Sequence, residues 1–385
     1  MSGGLFRAMA TSPPMEISTA QARRFLVGQT GLTCMAQPGP RAATALLERL
    51  RCIQLDPLDR IGTNADLVAM ARIPGIRRGE VYAQLLPGHA FEHFAKERCL
   101  LPAQAFPYYR DQAAETPWWR LTDRLKRVPP ALLDEVLAEV GERGPLCAAE
   151  LEERGRVEAI DWNGWKGTSR AGTMALEVLW LRCQVVVCGR RGRDKLYDIP
   201  RRALPGVADQ QPALPFERWA LLERVEAAGL LSTAGGPWWS MLGPVRSSDL
   251  PDTMVAQGLL ERVVVAGSRR SYLAPAGFAE RSHAQDDGLL RILGPLDPLI
   301  WDRKLLHHAF GFDYVWEVYK PAAKRRWGWY VCPLLHHGRF VGRLEAHMEG
   351  PKLVVDQLWV EPGVQLDRGA LDLALARHQA ACAPA

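Results

Sequence analysis

The stretch Val185-Val186-Val187-Cys188-Gly189-Arg190-Arg191 has a counterpart about 78 residues later, in Val263-Val264-Val265-Ala266-Gly267-Ser268-Arg269-Arg270. In both stretches three β-branched residues, which favour strands, lead into a glycine-containing turn that carries two arginines. A second strand candidate follows each turn, at Lys195 to Ile199 and at Ser271 to Leu273. Each stretch therefore predicts a β-hairpin with a basic turn, and the recurrence predicts an internal repeat.

Amphipathic segments precede both hairpins, and their apolar residues have helical spacing. The helices predicted from this spacing lie at 131–140, 146–154, 169–182, 216–228 and 247–257. Helices followed by a β-hairpin are typical of the winged helix, a variant of helix-turn-helix that binds duplex DNA. A protein–protein scaffold built from winged helices is an alternative, but the arginines of the two turns favour DNA.

The length of 385 residues is too great for one ordinary core and predicts several domains. After residue 289 the sequence predicts a turn-rich linker at Leu293 to Pro298, several strands that include Tyr314 to Tyr319, and a final helix at Asp367 to Cys382. The predicted fold class is α+β, with tandem winged-helix domains followed by a small β-rich C-terminal domain. The predicted boundaries are a disordered leader at 1–14, winged-helix domains at 15–125, 126–208 and 209–288, and the β-rich domain at 289–385.

Composition narrows the functional classes. A formal net charge of +5 and a pI near 8.8 suit a polyanionic partner. The eight cysteines lack CxxC spacing, which indicates buried thiols in a reducing compartment. The sequence shows neither a signal peptide nor an apolar run long enough for a membrane span, so the expected location is the cytoplasm, on the nucleoid when DNA is bound.

Motifs for several other chemistries are missing from the sequence. It contains no phosphate loop, no dinucleotide fingerprint and no nucleophile elbow. His307-His308 and His336-His337 are adjacent pairs, and neighbouring side chains on a helix or strand point apart. The sequence therefore predicts neither nucleotide hydrolysis nor a metal site.

Basic residues cluster at the predicted turns and at one predicted helix start, where DNA phosphates would be bound. Lys324-Arg325-Arg326-Trp327-Gly328-Trp329-Tyr330 interleaves cations with aromatic residues on a predicted hairpin, which suits gripping phosphates or wedging into a base stack. The alternative is that these are solvated turn residues or a basic edge that protects a strand. The candidate DNA-binding residues are Lys166, Arg170, Arg190, Arg191, Arg193, Arg269, Arg270, Lys324, Arg325 and Arg326.

A polar pair follows the predicted helix at 41–50, in the segment Ile53-Gln54-Leu55-Asp56-Pro57. Because strand side chains alternate, Gln54 and Asp56 are expected on one face and Ile53 and Leu55 on the other, towards a core. An amide beside a carboxylate could hold and polarise a water molecule. The spacing alone is equally compatible with a strand end at which Asp56 caps the turn at Pro57.

The Ile53-Gln54-Leu55-Asp56 segment resembles the catalytic region of the AlkZ/YcaQ family of winged-helix DNA glycosylases, whose motif is Gln-x-Gln in one branch and Gln-x-Asp in another. The resemblance runs nearly end to end and is most specific at Asp297-Pro298-Leu299-Ile300-Trp301-Asp302-Arg303 and Phe310-Gly311-Phe312-Asp313-Tyr314. It implies tandem winged helices around DNA and a C-terminal β-rich domain. It also implies excision of alkylated purines of the N7-alkylguanine type, with interstrand crosslinks as substrates of some members.

The resemblance makes Asp56 and Gln54 the expected catalytic pair. An N7-alkylated guanine is cationic and leaves readily, so Asp56 is expected to stabilise the positive sugar and activate a water that Gln54 helps to hold. No lysine is indicated as a nucleophile, so the expected enzyme is a monofunctional glycosylase. It is expected to act as a monomer on double-stranded DNA carrying alkylated bases, without a metal or cofactor.

Two segments depart from the family pattern, Thr63 to Asp66 and Phe94 to Cys99. Both fall near the expected DNA-facing side of the first domain. They put the substrate and the activity in question. Tandem winged helices with basic turns suit a non-catalytic winged-helix DNA-binding protein or transcriptional regulator equally well, and this is the alternative function. Such a regulator would have no use for a water-polarising pair in a basic cleft, so the position of Gln54 and Asp56 distinguishes the two functions.

Overall fold

The computed structural model describes residues 13–113, 119–160 and 167–383. Most of the predicted leader and Lys166 lie outside these residues. The helices are α1 (Thr19–Gln29), α2 (Ala42–Leu50), α3 (Asn64–Met70), α4 (Glu80–Leu85), α5 (Phe106–Ala113), α6 (Trp119–Leu125), α7 (Pro130–Arg143), α8 (Ala171–Leu181), α9 (Pro200–Ala203), α10 (Phe216–Ala228), α11 (Gly243–Arg246), α12 (Leu250–Ala256), α13 (Arg303–Phe310) and α14 (Arg368–Cys382).

The strands form several small sheets between these helices. They are β1 (Met15–Ile17), β2 (Ile53–Gln54), β3 (Ala90–Phe94), β4 (Arg98–Pro102), β5 (Leu146–Cys147), β6 (Arg156–Glu158), β7 (Thr168–Arg170), β8 (Val186–Arg191), β9 (Asp194–Asp198), β10 (Leu231–Ser232), β11 (Leu260–Val265), β12 (Ser271–Pro275), β13 (Arg291–Ile292), β14 (Val331–His336), β15 (Arg339–Glu349) and β16 (Lys352–Val360). This mixture of helices and mainly antiparallel strands confirms the predicted α+β class.

One order of elements occurs three times, from α2 to β4, from α7 to β9 and from α10 to β12. Each copy has a helix, a two-residue strand, at least one further helix and a β-hairpin; the second copy also contains the β6–β7 pair. In every copy the two-residue strand pairs with the second strand of the hairpin. We call these copies the first, second and third repeats.

The first repeat shows how the sequence places the polar pair. Leu46, Leu47 and Leu50 lie on one side of α2 and are buried in the core. The helix ends at Arg51, whose φ of 60° is in the left-handed region, and the chain then enters β2. Ile53 is fully buried, but Cys52 is also buried and Gln54 is only 6% exposed. The predicted alternation of side chains is therefore wrong, because β2 ends at Gln54 and does not extend to Leu55 and Asp56.

The N-terminal segment packs against the third repeat through β1 and against α13 of the C-terminal region through α1. β1 adds to the sheet of the third repeat in parallel with β11, with Met15 opposite Val263. The sequence Ser18-Thr19-Ala20-Gln21 has the form of a capping box, which the structure confirms: the Ser18 hydroxyl accepts from the Gln21 amide at 3.2 Å and α1 begins there. The domain boundaries drawn from the sequence stay predictions.

The C-terminal region contains a sheet in the order β13-β14-β15-β16, with α14 against β16. The turn-rich linker predicted at Leu293 to Pro298 is wrong, because this segment is buried. Its Asp297 forms a bidentate ion pair with the buried Arg72, just after α3. The two nitrogen–oxygen distances are 2.7 and 2.9 Å. A carboxylate in this position satisfies a guanidinium that has no access to water.

Three further secondary-structure predictions are wrong. The helix predicted at 146–154 is β5 followed by a short 3₁₀ turn, because Leu146 and Cys147 pair with β9. The strand predicted at 314–319 and the hairpin predicted at 324–330 are both irregular segments. Among the described helices, none has the length and apolar character needed to cross a membrane.

Candidate active-site cleft

A cleft of about 2040 Å³ brings together side chains from three distant parts of the chain. The first repeat contributes the predicted catalytic pair, the second contributes basic residues of its hairpin, and the C-terminal region contributes aromatic rings. The side chains central to the argument below are Gln54, Asp56, Lys96, Arg190, Arg193, Lys195, Trp316, Tyr319 and Trp329.

Gln54 is held in position by three contacts. Its backbone pairs with Cys99 of β4, and its carbonyl accepts from the Asn64 side-chain amide at 2.8 Å. Its side-chain Oε1 accepts from the Lys96 ammonium at 3.0 Å. Since Gln54 is only 6% exposed, these contacts leave the Nε2 amide group as the part that can donate to a molecule in the cleft.

The segment that departs from the family pattern after the motif supports this arrangement. Thr63 and Asp66 form a capping box that starts α3: the Asp66 carboxylate accepts from the Thr63 amide at 3.0 Å, and the Thr63 hydroxyl accepts from the Asp66 amide. Asn64, directly inside this cap, braces the Gln54 carbonyl. The residues that differ from the family pattern therefore have a structural role: they support the strand that carries Gln54.

Asp56 is half-buried, and its contacts are compatible with both roles considered for it. One carboxylate oxygen, Oδ1, accepts from the Leu58 amide at 2.9 Å and so caps the turn at Pro57. No other hydrogen bond to this carboxylate is found among the described residues, which leaves Oδ2 for a water or a ligand. Burial raises the pKa of Asp56 above its usual value, although the hydrogen bond from Leu58 opposes that shift.

Lys96 is the residue that the sequence analysis missed. It lies in the turn between β3 and β4, where its carbonyl accepts from the Ser240 hydroxyl at 2.9 Å. Its ammonium lies 4.6 Å from the centre of the Trp301 ring. Burial, with a smaller effect of Arg303, lowers the pKa of Lys96 to about 8. The sequence marks residues 94–99 only as a departure from the family pattern, because the environment of Lys96 comes from residues far along the chain, Ser240 and Trp301.

The second hairpin places cations on another side of the cleft. Arg190 forms an ion pair with the fully buried Glu92, and the Lys195 ammonium is 3.6 Å from the same carboxylate. Arg193, in the turn, is exposed and has no ion pair or hydrogen bond within the described ranges. Of Arg190, Arg193 and Lys195, Arg193 is therefore the most available to bind a phosphate.

Two predicted DNA contacts in the second repeat have local partners. Arg191 pairs with Glu150 at 2.7 Å. Arg170 pairs with Glu153 at 3.1 Å and donates to carbonyl groups of the 148–151 turn. These contacts fix the turn beside α8, and the role of both residues in DNA binding stays a prediction.

The predicted contacts in the third repeat differ from each other. Arg269 is exposed at the β11–β12 turn and has no hydrogen bond or ion pair in the described part of the chain. Arg270 is half-buried, and its guanidinium is 3.5 Å from the Ser232 hydroxyl. Neither residue lines the cleft around Gln54.

The basic segment near residue 325 is organised by one buried carboxylate. Glu317 accepts from the backbone amides of Arg326 and Trp327 at 2.9 and 2.8 Å. Lys324 is exposed, Arg325 donates to a backbone carbonyl, and the Arg326 guanidinium lies 4.7 Å from the centre of the Trp327 ring. The three cations therefore lie on an ordered loop beside the aromatic side of the cleft.

Three aromatic residues of the C-terminal region line the cleft, and the sequence analysis did not connect them with Gln54. Trp316 and Tyr319 pack edge to face, with ring centres 5.7 Å apart. Tyr319 is 84% exposed, and the Arg60 guanidinium lies 5.7 Å from the centre of the Trp329 ring. Exposed rings beside a basic surface are suited to stacking on bases.

Comparisons with known proteins agree with the resemblance found in the sequence. A family model described as DNA glycosylase AlkZ-like matches residues 47–381. Among solved structures, the Streptomyces sahachiroi DNA glycosylase AlkZ superposes with a TM-score of 0.60 at 20% sequence identity, over 96% of this chain and 99% of that chain. At this identity the structural likeness concerns the fold.

Proposed function

The chain belongs to the AlkZ-like DNA glycosylase family, and from that premise we propose that Asp56 and Gln54 release alkylated purines of the N7-alkylguanine type from double-stranded DNA. Membership of the family makes the protein a DNA-repair glycosylase with DNA as its substrate. The proposal for the catalytic pair depends on one observation, that both side chains line a cleft shared with Arg190, Arg193 and Lys195. That placement favours catalysis over the alternative of a regulator.

The chemistry follows from the two side chains. As the bond from C1′ to the purine nitrogen breaks, the electron pair leaves with the cationic base and C1′ becomes positively charged. The Asp56 carboxylate stabilises that charge and accepts a proton from the water that attacks C1′. Gln54, whose Oε1 is held by Lys96, donates from Nε2 to the same water. Because water is the nucleophile, base release itself leaves an unbroken abasic strand.

The three repeats are interpreted as winged helices that hold the duplex. Their shared strand order, in which the short first strand pairs with the last, supports this interpretation, as does their helix order. The exposed Arg193 and Arg269, each at a hairpin turn, are the strongest candidates for phosphate contacts. The protein is proposed to act as a monomer, with the C-terminal region closing one side of the cleft.

Bulky lesions and crosslinks suit this cleft better than small ones. A crosslinked base cannot be extruded without distorting both strands, so a site that accommodates it must be wide and open. The cleft is large, at about 2040 Å³, and the rings of Trp316, Tyr319 and Trp329 offer apolar contacts to an alkyl group or an exposed base. These features support interstrand crosslinks as substrates.

The test is release of a base from defined duplexes. One duplex carries a single N7-methylguanine and another carries a nitrogen-mustard crosslink, and abasic sites are revealed by alkali. Asp56→Asn is expected to lower the rate about 100-fold or more while DNA binding is kept. Asp59→Asn removes a nearby carboxylate and serves as the matched control. Full activity of Asp56→Asn would reject its catalytic role, and no release from either duplex by the wild type would reject this lesion class.

A further inference from the structure

Lys96 differs from the other cations around the cleft. In the described part of the chain no carboxylate lies within ion-pair distance of its ammonium, whereas Arg190 and Lys195 share Glu92. Its two side-chain contacts are with groups that carry no charge, the Gln54 amide oxygen and the Trp301 ring. Such contacts hold the amine beside the predicted catalytic pair without stabilising its charged form as an ion pair would.

We propose that Lys96 acts on the abasic site left by base release, forming an imine with its C1′ and cleaving the strand on the 3′ side. This second activity rests on the proposed function only in that base release would supply the abasic site. An abasic site made by other means would be an equally good substrate. It departs from the sequence-based expectation of a purely monofunctional enzyme, which assumed that no lysine is near the reacting atoms.

The steps balance without an oxidant or a metal. The neutral Lys96 amine attacks the C1′ aldehyde of the ring-opened abasic sugar, a carbon–nitrogen bond forms, and the carbonyl oxygen leaves as water. A base then takes a proton from C2′, and the electron pair expels the phosphate oxygen from C3′. We assign that proton to Asp56, a carboxylate in the same cleft that has an oxygen without a partner among the described residues. Hydrolysis of the imine finally returns the free lysine.

The position of Lys96 suits an attack on C1′. Gln54 is proposed to orient the water that attacks C1′, and the Lys96 nitrogen is 3.0 Å from the Gln54 amide oxygen. Ser240 anchors the Lys96 backbone through its carbonyl, so the turn is fixed while the long side chain can pivot. The amine therefore needs to move by only about one hydrogen-bond length to reach a carbon held next to Gln54.

The neutral amine that this chemistry requires is accessible near neutral pH. Burial and then Arg303 lower the pKa of Lys96 to about 8, while the other charged or titratable neighbours, Cys99, Glu97 and Cys52, act in the opposite direction. Since attack needs the deprotonated amine, imine formation is expected to rise with pH up to about 8 and then level off.

The test uses duplex DNA with an abasic site generated by removal of uracil, together with sodium borohydride, which reduces an imine to a stable covalent complex. Wild type and the surface control Lys304→Met are expected to be trapped on the DNA. Lys96→Arg keeps a cationic donor for Gln54 but cannot form an imine, so its trapping is expected to fall at least tenfold. Because Lys96 also holds Gln54, base release from N7-methylguanine is measured separately, and trapping is compared on the preformed abasic site, where no base has to be released.

The outcomes separate this proposal from the proposed function. No trapped complex with wild type, or equal trapping of Lys96→Arg, would overturn the role of Lys96. Trapping by wild type that is lost in Lys96→Arg, without any base release from alkylated duplexes, would support the lysine chemistry and reject the substrate proposed above. Peptide mapping of the trapped complex gives a second measurement, and attachment at any residue other than Lys96 overturns the proposal.

Discussion

The hairpins of the first and second repeats occupy the same position in their repeats and contact each other, yet their basic residues have opposite environments. In β8–β9, Arg190 and Lys195 are neutralised by the buried Glu92, which comes from β3 of the other hairpin. In the β3–β4 turn, Lys96 lies among an amide, an indole ring and another cation. Basic residues of two equivalent hairpins can therefore provide either a structural charge or, as proposed for Lys96, a reactive amine, depending on whether a carboxylate is within reach.

The largest effect is expected from removing the shared carboxylate. Glu92→Gln leaves Arg190 and Lys195 without their buried partner and should lower the free energy of unfolding by about 3 kcal/mol. Urea denaturation monitored by tryptophan fluorescence measures this change. Glu150→Gln breaks the exposed pair with Arg191 and is the matched control, with little change expected. Equal stability of the two variants would show that the buried pair does not hold the hairpins together.

A second prediction concerns the amide that Lys96 holds in the first repeat. Gln54→Ala is expected to lower the rate of base release about 10- to 100-fold, because the water beside C1′ loses a donor. Single-turnover release of N7-methylguanine measures the effect. Gln357→Ala, on the exposed face of β16, should leave the rate unchanged. Wild-type activity in Gln54→Ala would limit Gln54 to a structural role.

A third prediction concerns the pH dependence of base release, which also tests the first repeat. Burial raises the pKa of Asp56 above 3.8, and catalysis requires the deprotonated carboxylate. The rate of base release is therefore expected to fall up to tenfold per pH unit on the acidic side, starting at a higher pH than for a free aspartate. Asp56→Asn should lack this acidic limb in whatever residual activity it retains. An acidic limb preserved in that variant would assign the titration to another group.

The smallest effect is expected on DNA binding, from replacing single arginines of the second repeat's hairpin that do or do not form an ion pair. Arg193→Ser should reduce the slope of log binding constant against log salt by about 1, as expected for one lost phosphate contact. Arg191→Ser should change the slope less, because Arg191 already pairs with Glu150. Fluorescence anisotropy with an undamaged duplex over a range of salt concentrations measures both. Identical slopes for the two variants would remove the distinction between them.

The sequence predicted the features that depend on local pattern. The valine-rich hairpins, α8 and the Ser18 capping box all follow from residues within a few positions of each other. The proposed catalytic pair could not be predicted from spacing alone, because the same spacing also suits a strand end. Its assignment depends on the family resemblance and on the position of both side chains in the cleft. The sequence identifies the cations that are candidates for DNA contacts, but it does not predict which of them form ion pairs within the protein.

The features that the sequence did not predict depend on pairs far apart in the chain. Lys96 and Gln54 are 42 positions apart, Glu92 and Arg190 are 98 apart, and Arg72 and Asp297 are 225 apart. No periodicity or turn propensity links such residues, since their contact is created by tertiary packing. The Asp297 motif looked like a linker for this reason, although its carboxylate is buried and paired.

The ion pair between Arg72 and Asp297 also governs how this protein can be engineered. A shortened chain that stops before residue 289 would leave Arg72 buried and charged without its carboxylate. It would also lose the carbonyl of Leu296, which lies 3.5 Å from the Asn64 amide that braces Gln54. The C-terminal region therefore cannot be exchanged on its own: a chimera that replaces it must carry residues 64–72 from the same parent.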